Sequence, residues 1–221
     1  MMHDTQKKIL IAGLLIAAGV IGRILLSQLL PHAPHATITL NGVTQPVFML
    51  DMFFVVAAVA LFSGILLGSL YSLVVPLAVM AITDLYYGNT SIFLFTWTGF
   101  AFIGLLGATA RRHGLTHSPL GIAGMGVGSV LLYDAWTNLG CWLGWYPHST
   151  AGLATCYTMA LPFTLWHLLS TTMAVTALTI PLLLLQSHGK KMLQRSYSPA
   201  GHYAAMGVCA ILAVASFALL P

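Results

Sequence analysis

Residues 9–30 read ILIAGLLIAAGVIGRILLSQLL, an apolar run of 22 residues interrupted only by Arg23 and Gln28. A bilayer core takes about 20 apolar residues per helix, so this run is long enough to cross one. Lys7 and Lys8 precede it as they would precede a signal peptide, but the run is too long and no A-x-A site follows. The rest of the chain has the same character. Of 221 residues 58% are hydrophobic and 5% charged, and the mean hydropathy is +0.91. Soluble domains carry about 25% charged residues. The composition therefore excludes a water-soluble enzyme, a disordered chain and a nucleic-acid binder. The pI of 9.1 reflects a surplus of four charges in an almost uncharged chain. Three cysteines without C-x-x-C spacing make no disulfide framework. The predicted class is all-α, a polytopic membrane protein.

Six further apolar runs follow: 47–68, 69–88, 90–110, 119–145, 162–186 and 202–220. Segment 149–161 is only moderately apolar and reads as a short interfacial or re-entrant helix, with Pro162 then starting the sixth span. Cytoplasmic loops are enriched in Lys and Arg. Lys7, Lys8, Arg111, Arg112, Lys190, Lys191 and Arg195 all fall on one side if the N-terminus is inside, and the opposite connections carry no Lys or Arg. The expectation is a multi-pass protein of the inner (cytoplasmic) membrane, N-terminus in the cytoplasm and C-terminus outside. Its units are a six-span domain over 1–186, a basic loop over 187–201 and an added helix over 202–221.

Charges inside spans are costly. At about 1.5 Å rise per residue, Arg23, Asp51, Asp84 and Asp134 come out roughly 6–9 Å below the outer surface, on four different helices. A structural ion pair needs one acid, whereas this layer offers three acids to one base, and the surplus points to a hydrated pocket open to the outside. The plainer readings are an Arg23–Asp84 pair that locks helices and an Asp51 in headgroup water. Aromatic residues gather at the same level: Trp97, Tyr86, Tyr87, Trp136, Trp142, Trp145 and Tyr146. Such residues commonly form an interfacial belt. Asn138 and Trp142 follow Asp134 in steps of four, which favours Trp142 over Trp136 or Trp145 for the pocket. The predicted substrate-binding set is Arg23, Asp84, Asp134, Asn138, Trp142, Tyr146 and His148.

His32-x-x-His35 has the spacing of a metal pair but stands in a proline-rich loop, while His148 and His167 are placed to cover a pocket mouth; these four are weak metal candidates. Cys141 and Cys156 read as two separate thiols, with a disulfide as the alternative in an oxidising compartment. The chain has no glutamate, no H-E-x-x-H, no nucleophile–base pair and no phosphate-binding loop, so no enzyme activity and no cofactor are expected. Gly13/Ala17 and Ala18/Gly22 form small-xxx-small steps that let helices approach closely.

The stretch DAWTNLGCWLGWYPHSTAGLATCYTMALPF (134–163) resembles a family of bacterial membrane transport proteins with the signature T-N-[FL]-G-x-W-x-x-x-x-Y-P-H-[ST]-x-A-G-L-x-x-C-Y-x-x-A-[LI]-P-F. Thr137, Asn138, Gly140, Trp142, Tyr146, Pro147, His148, Gly152, Cys156, Tyr157 and Pro162 fall on it, with one residue fewer between Trp142 and Tyr146. Arg23 and the Pro76–Leu85 stretch match its other landmarks. That family is in turn similar to the substrate-binding S-components of energy-coupling factor (ECF) transporters, six-helix proteins that hold vitamins or transition metals near the outer face. The resemblance implies a six-helix S-component-like bundle plus a seventh helix. It implies uptake of a vitamin-like molecule, cobalamin-type first, and an energising module of a coupling subunit and ATPases docked on Gly13, Ala17, Ala18 and Gly22. A non-transporting accessory subunit and a Co/Ni uptake component are the alternatives. Besides that module, the expected partners are the small-molecule substrate and the lipid bilayer, with no nucleic acid.

Overall fold

The computed structural model describes residues 4–29, 37–40, 42–46, 50–68, 70–188 and 199–218. His32, His35, Lys190, Lys191 and Arg195 lie outside the described residues. Among the described residues seven α-helices occupy the seven apolar runs: α1 (Asp4–Ser27), α2 (Phe53–Leu66), α3 (Tyr71–Tyr87), α4 (Phe93–Arg112), α5 (Pro119–Trp145), α6 (Thr150–His188) and α7 (Pro199–Ala218). A short antiparallel hairpin, β1 (Thr37–Leu40) with β2 (Val43–Pro46), lies in the α1–α2 connection, a departure from the purely helical expectation. Gly42 turns it with φ 81°, a conformation that suits glycine.

Four helices are long and apolar enough to cross a membrane: Thr5–Ser27, Phe93–Arg112, Thr150–Pro181 and Ala200–Ala218. Large side chains stand out from them into the surroundings, with Leu10, Leu14, Ile21 and Leu25 of α1 each more than half exposed. Exposed apolar faces of that extent belong to a membrane protein. The second and third runs make shorter helices than their apolar lengths suggest, 14 residues in α2 and 17 in α3. Eleven of the fourteen α2 residues are buried, so α2 is the core of the bundle and needs no lipid-facing length.

Glycines set the crossing of α2 with α4. A methyl group at Gly64 would overlap the Gly104 carbonyl oxygen, and one at Gly107 would overlap the Leu61 carbonyl oxygen. Gly104 meets the Ser72 carbonyl of α3 in the same way. Backbone thus packs on backbone, as small residues permit between membrane helices. At the end of α2, Arg111 of α4 donates to the Leu66 carbonyl at 2.7 Å. Its positive charge sits where the helix dipole is negative.

α6 corrects the reading of residues 149–162. The helix runs unbroken through 39 residues with Pro162 and Pro181 inside it, so there is no separate short helix and Pro162 is not a first-turn residue. Proline is tolerated within a membrane helix where neighbours re-satisfy the freed backbone. α7 packs on α3 and α4 through Leu73, Ala101, Ala205 and Cys209, and the Thr98 and Ser216 hydroxyls meet at 3.2 Å.

Candidate functional site

The four charged side chains of the layer fall, together with His167, into two networks. In the first, Arg23 of α1 donates to Asp84 Oδ1 of α3 at 3.0 Å, to the neighbouring Thr83 hydroxyl and to the Met80 sulfur at 3.4 Å. Trp97 Nε1 of α4 donates to the other Asp84 oxygen at 2.7 Å. The Arg23 guanidinium lies 5.4 Å from the centre of the Tyr87 ring, and the Tyr87 hydroxyl donates to the Arg23 carbonyl at 3.2 Å. The Asp84 side chain is 6% exposed and that of Arg23 22%. Both oxygens of the carboxylate are therefore satisfied by protein, and three helices are tied at one point.

The second network centres on His167 of α6. Its Nε2 is 2.9 Å from Asp51 Oδ2 and its Nδ1 is 2.7 Å from Asp134 Oδ1. A neutral imidazole carries one N–H and can donate to only one of two carboxylates; donating to both takes the imidazolium. The ring stacks on Phe53 at 4.1 Å between centroids, and Phe53 in turn packs on Phe100 and Tyr133. Asp51 precedes α2 rather than lying within it: its Oδ1 accepts the Phe53 N–H at 3.1 Å, and Trp166 Nε1 donates to its carbonyl at 3.2 Å. A carboxylate at a helix N-terminus is favoured by the dipole. Asp134 is on α5, its side chain 7% exposed, and its Oδ2 is buried with no hydrogen-bond partner among the described residues.

Two cavities flank these networks. The larger, about 560 Å³, lies between α4, α5 and α6, with Asp134, Asn138, Cys141, Trp145, Phe163 and His167 among its walls. The smaller, about 220 Å³, reaches Arg23, Asp51 and Asp84. Tyr133 and Thr96 border both. The rims are the connections at one end of the bundle, Gly88–Thr90 for the smaller and Tyr146–Pro147 for the larger. Burial, with the nearby Cys156 and Cys141 thiols, raises the Tyr146 phenol above its ordinary range, so the rim offers a neutral hydroxyl.

The predicted set divides accordingly. Asp134, Asn138 and Tyr146 line the larger cavity, Arg23 and Asp84 the smaller one. Trp142 and His148 line neither: Trp142 Nε1 donates to the Pro147 carbonyl at 3.0 Å, His148 Nε2 meets the Leu143 carbonyl at 2.9 Å, and the two rings touch edge to face at 5.7 Å. They staple the α5–α6 turn. The helix turns about 100° per residue, so the eight-residue step from Asp134 to Trp142 drifts about 80° off the face. Trp145, passed over from sequence, lines the larger cavity instead, and Trp136 packs inward on Phe95, Phe102 and Phe217. His167 is not at the mouth but 6% exposed at the centre. Cys141 and Cys156 are free thiols, both on the larger cavity. Among the described residues no three His, Cys or Asp side chains are grouped to hold a metal, and both His167 nitrogens are already taken by carboxylates. On α1, Gly13, Ala17 and Ala18 are exposed, whereas Gly22 turns inward toward Val55.

A family model described as a family of unknown function (DUF6580) matches residues 3–193. The chain belongs to that family. Every residue of the two networks falls within the DUF6580 match, while α7, which starts at Pro199, lies beyond it. No curated protein and no solved structure matches the chain.

Proposed function

We propose that this DUF6580 protein is the solute-binding membrane subunit of an uptake system, with no catalytic chemistry of its own. The observation that carries the reading is a buried layer of charge bordering a 560 Å³ cavity whose rim is the turn at one end of the bundle. Ionisable side chains in membrane segments characteristically face such cavities and mark solute paths. The volume lies within the range of ordinary small-molecule sites. It suits a vitamin-like heterocycle better than a corrinoid, whose macrocycle and nucleotide loop would overfill it. In this reading the rim faces the outer side of the cytoplasmic membrane, the side that the Lys/Arg distribution favours. In an ECF-type arrangement the exposed Gly13–Ala18 face of α1 would meet the energising module, and Gly22 would serve packing within the bundle.

The accessory-subunit reading has one observation in its favour. The Arg23–Asp84–Trp97 network is fully paired, as a purely structural lock would be. We therefore assign that network to holding α1, α3 and α4 together, and the solute to the cavity beside Asp134. A thermal-shift screen of the purified full chain against water-soluble vitamins, their heterocyclic precursors, Co²⁺ and Ni²⁺ tests the reading. A ligand at one hundred times its dissociation constant stabilises by about 2.7 kcal/mol. Absence of any response, together with intact uptake in cells carrying Asp134→Asn, would leave the accessory-subunit reading standing in its place.

A further inference from the structure

The charge count of the buried layer is not balanced. With all three carboxylates ionised, Asp51, Asp84 and Asp134 contribute three negative charges and Arg23 with a protonated His167 two positive ones, which leaves one negative charge in excess. The excess can be located. Asp84 is spoken for by Arg23 and Trp97. Asp51 has the Phe53 N–H on one oxygen and His167 on the other, and its side chain is 43% exposed and borders the smaller cavity. Asp134 shares His167 with Asp51, is 7% exposed, and keeps Oδ2 buried without a partner while lining the cavity. An ionised carboxylate so buried is strongly destabilised unless a cation or further donors meet it.

We propose, resting on the solute-binding reading above, that the larger cavity takes a small organic cation, an ammonium or guanidinium group on an apolar or aromatic body, with Asp134 as its anionic partner. An inorganic ion is poorly served, since Ca²⁺ and Mg²⁺ want six or more oxygen ligands and no three-residue group that could hold a metal exists among the described residues. The walls fit an organic body. Ile92, Phe163, Trp145 and Tyr133 supply apolar and aromatic surface, and Asn138 lies one turn from Asp134. Aromatic faces near a desolvated cation add attraction through their quadrupole.

A matched series on the purified full chain tests this: phenethylamine, phenethyl alcohol and phenylacetate, which share one body and differ in charge, with agmatine, tryptamine and putrescine as further cations. Binding by calorimetry is expected for ammonium or guanidinium members, at least ten times tighter than for the alcohol and the acetate. Asp134→Asn, nearly isosteric, is expected to remove that preference. If the variant does not fold, the wild-type series decides alone. Equal or tighter binding of the alcohol or the acetate overturns the inference and leaves the solute-binding reading intact. So does a vitamin-screen ligand that is neutral or anionic. Silence of every cation here and of every compound in the vitamin screen overturns both.

Discussion

Arg23→Met removes the one cation on Asp84 and leaves the carboxylate, 6% exposed, with the Trp97 indole at 2.7 Å as its remaining partner. Stripping one member from a buried ion pair costs about 3–5 kcal/mol. Because the indole bond persists, the lower part of that range applies, about 3 kcal/mol. For a chain of this size each 1 kcal/mol lowers the melting temperature by about 2–4 °C, so the fall should be roughly 6–12 °C. Asp84→Leu alone should cost less, about 2 kcal/mol, because the longer Arg23 side chain, 22% exposed, can swing its head toward water. The double variant Arg23→Met/Asp84→Leu removes both charges and replaces them with apolar groups, a change that is often neutral for buried pairs. It should melt closer to wild type than Arg23→Met does, and it should keep solute binding in the larger cavity. Thermal unfolding of the full chain in one detergent, run as a double-mutant cycle, measures all four corners. An unchanged melting temperature for Arg23→Met, or a double variant showing the sum of the single losses, would refute the lock. Loss of solute binding in a well-folded double variant would refute the division of labour between the two networks.

Gly104→Ala should destabilise the fold by at least about 1–3 kcal/mol, the usual cost of overpacking, because its methyl meets the rigid Ser72 carbonyl; Gly124→Ala, with open space around it, should be neutral or slightly stabilising in the same melting assay. Trp145→Ala should weaken solute binding with little change in melting temperature, whereas Trp142→Ala should lower the melting temperature by loosening the 146–149 turn and act on affinity only through that turn. Cys141 should be alkylated by a small maleimide and protected by bound solute, while Cys209, 2% exposed between α7 and its neighbours, should stay unlabelled; mass spectrometry of the labelled chain reads both.

Scarcity of charge made the layer legible in the sequence, since a rare Asp in an apolar run has few places to go. Asp84 and Asp134 were found that way, as was Arg23. His167 stands out in the sequence only as a pocket-mouth and metal candidate, because a count of Asp, Glu, Lys and Arg leaves it out of the charged layer where it meets Asp134. Asp51 looked like a charge inside a span. Yet α2 starts only at Phe53, and the Asp51 carboxylate ahead of it accepts the Phe53 N–H at the first turn. Apolar length also overstated α2, since nothing local distinguishes a residue facing lipid from one facing six other helices. The glycine crossing was invisible for a related reason: Gly64, Gly104 and Gly107 gain meaning only once α2 and α4 are known to touch. Trp142 shows the limit of stepwise spacing, which is good for one turn and poor for two.

The shortness of α2 has an electrical consequence. From Asp51 to the Leu66 carbonyl that Arg111 covers is fifteen residues, about 22 Å along the axis, against roughly 30 Å for a bilayer core. Where water fills the cavities down to the layer, the insulating path that remains is about that 22 Å, and the field across it is correspondingly steeper. A unit charge moved from the layer to the Arg111 end would cross nearly the whole membrane potential in that short distance, worth about 2.3 kcal/mol per 100 mV. For a positively charged solute, polarity of the membrane alone would decide which way that step runs downhill.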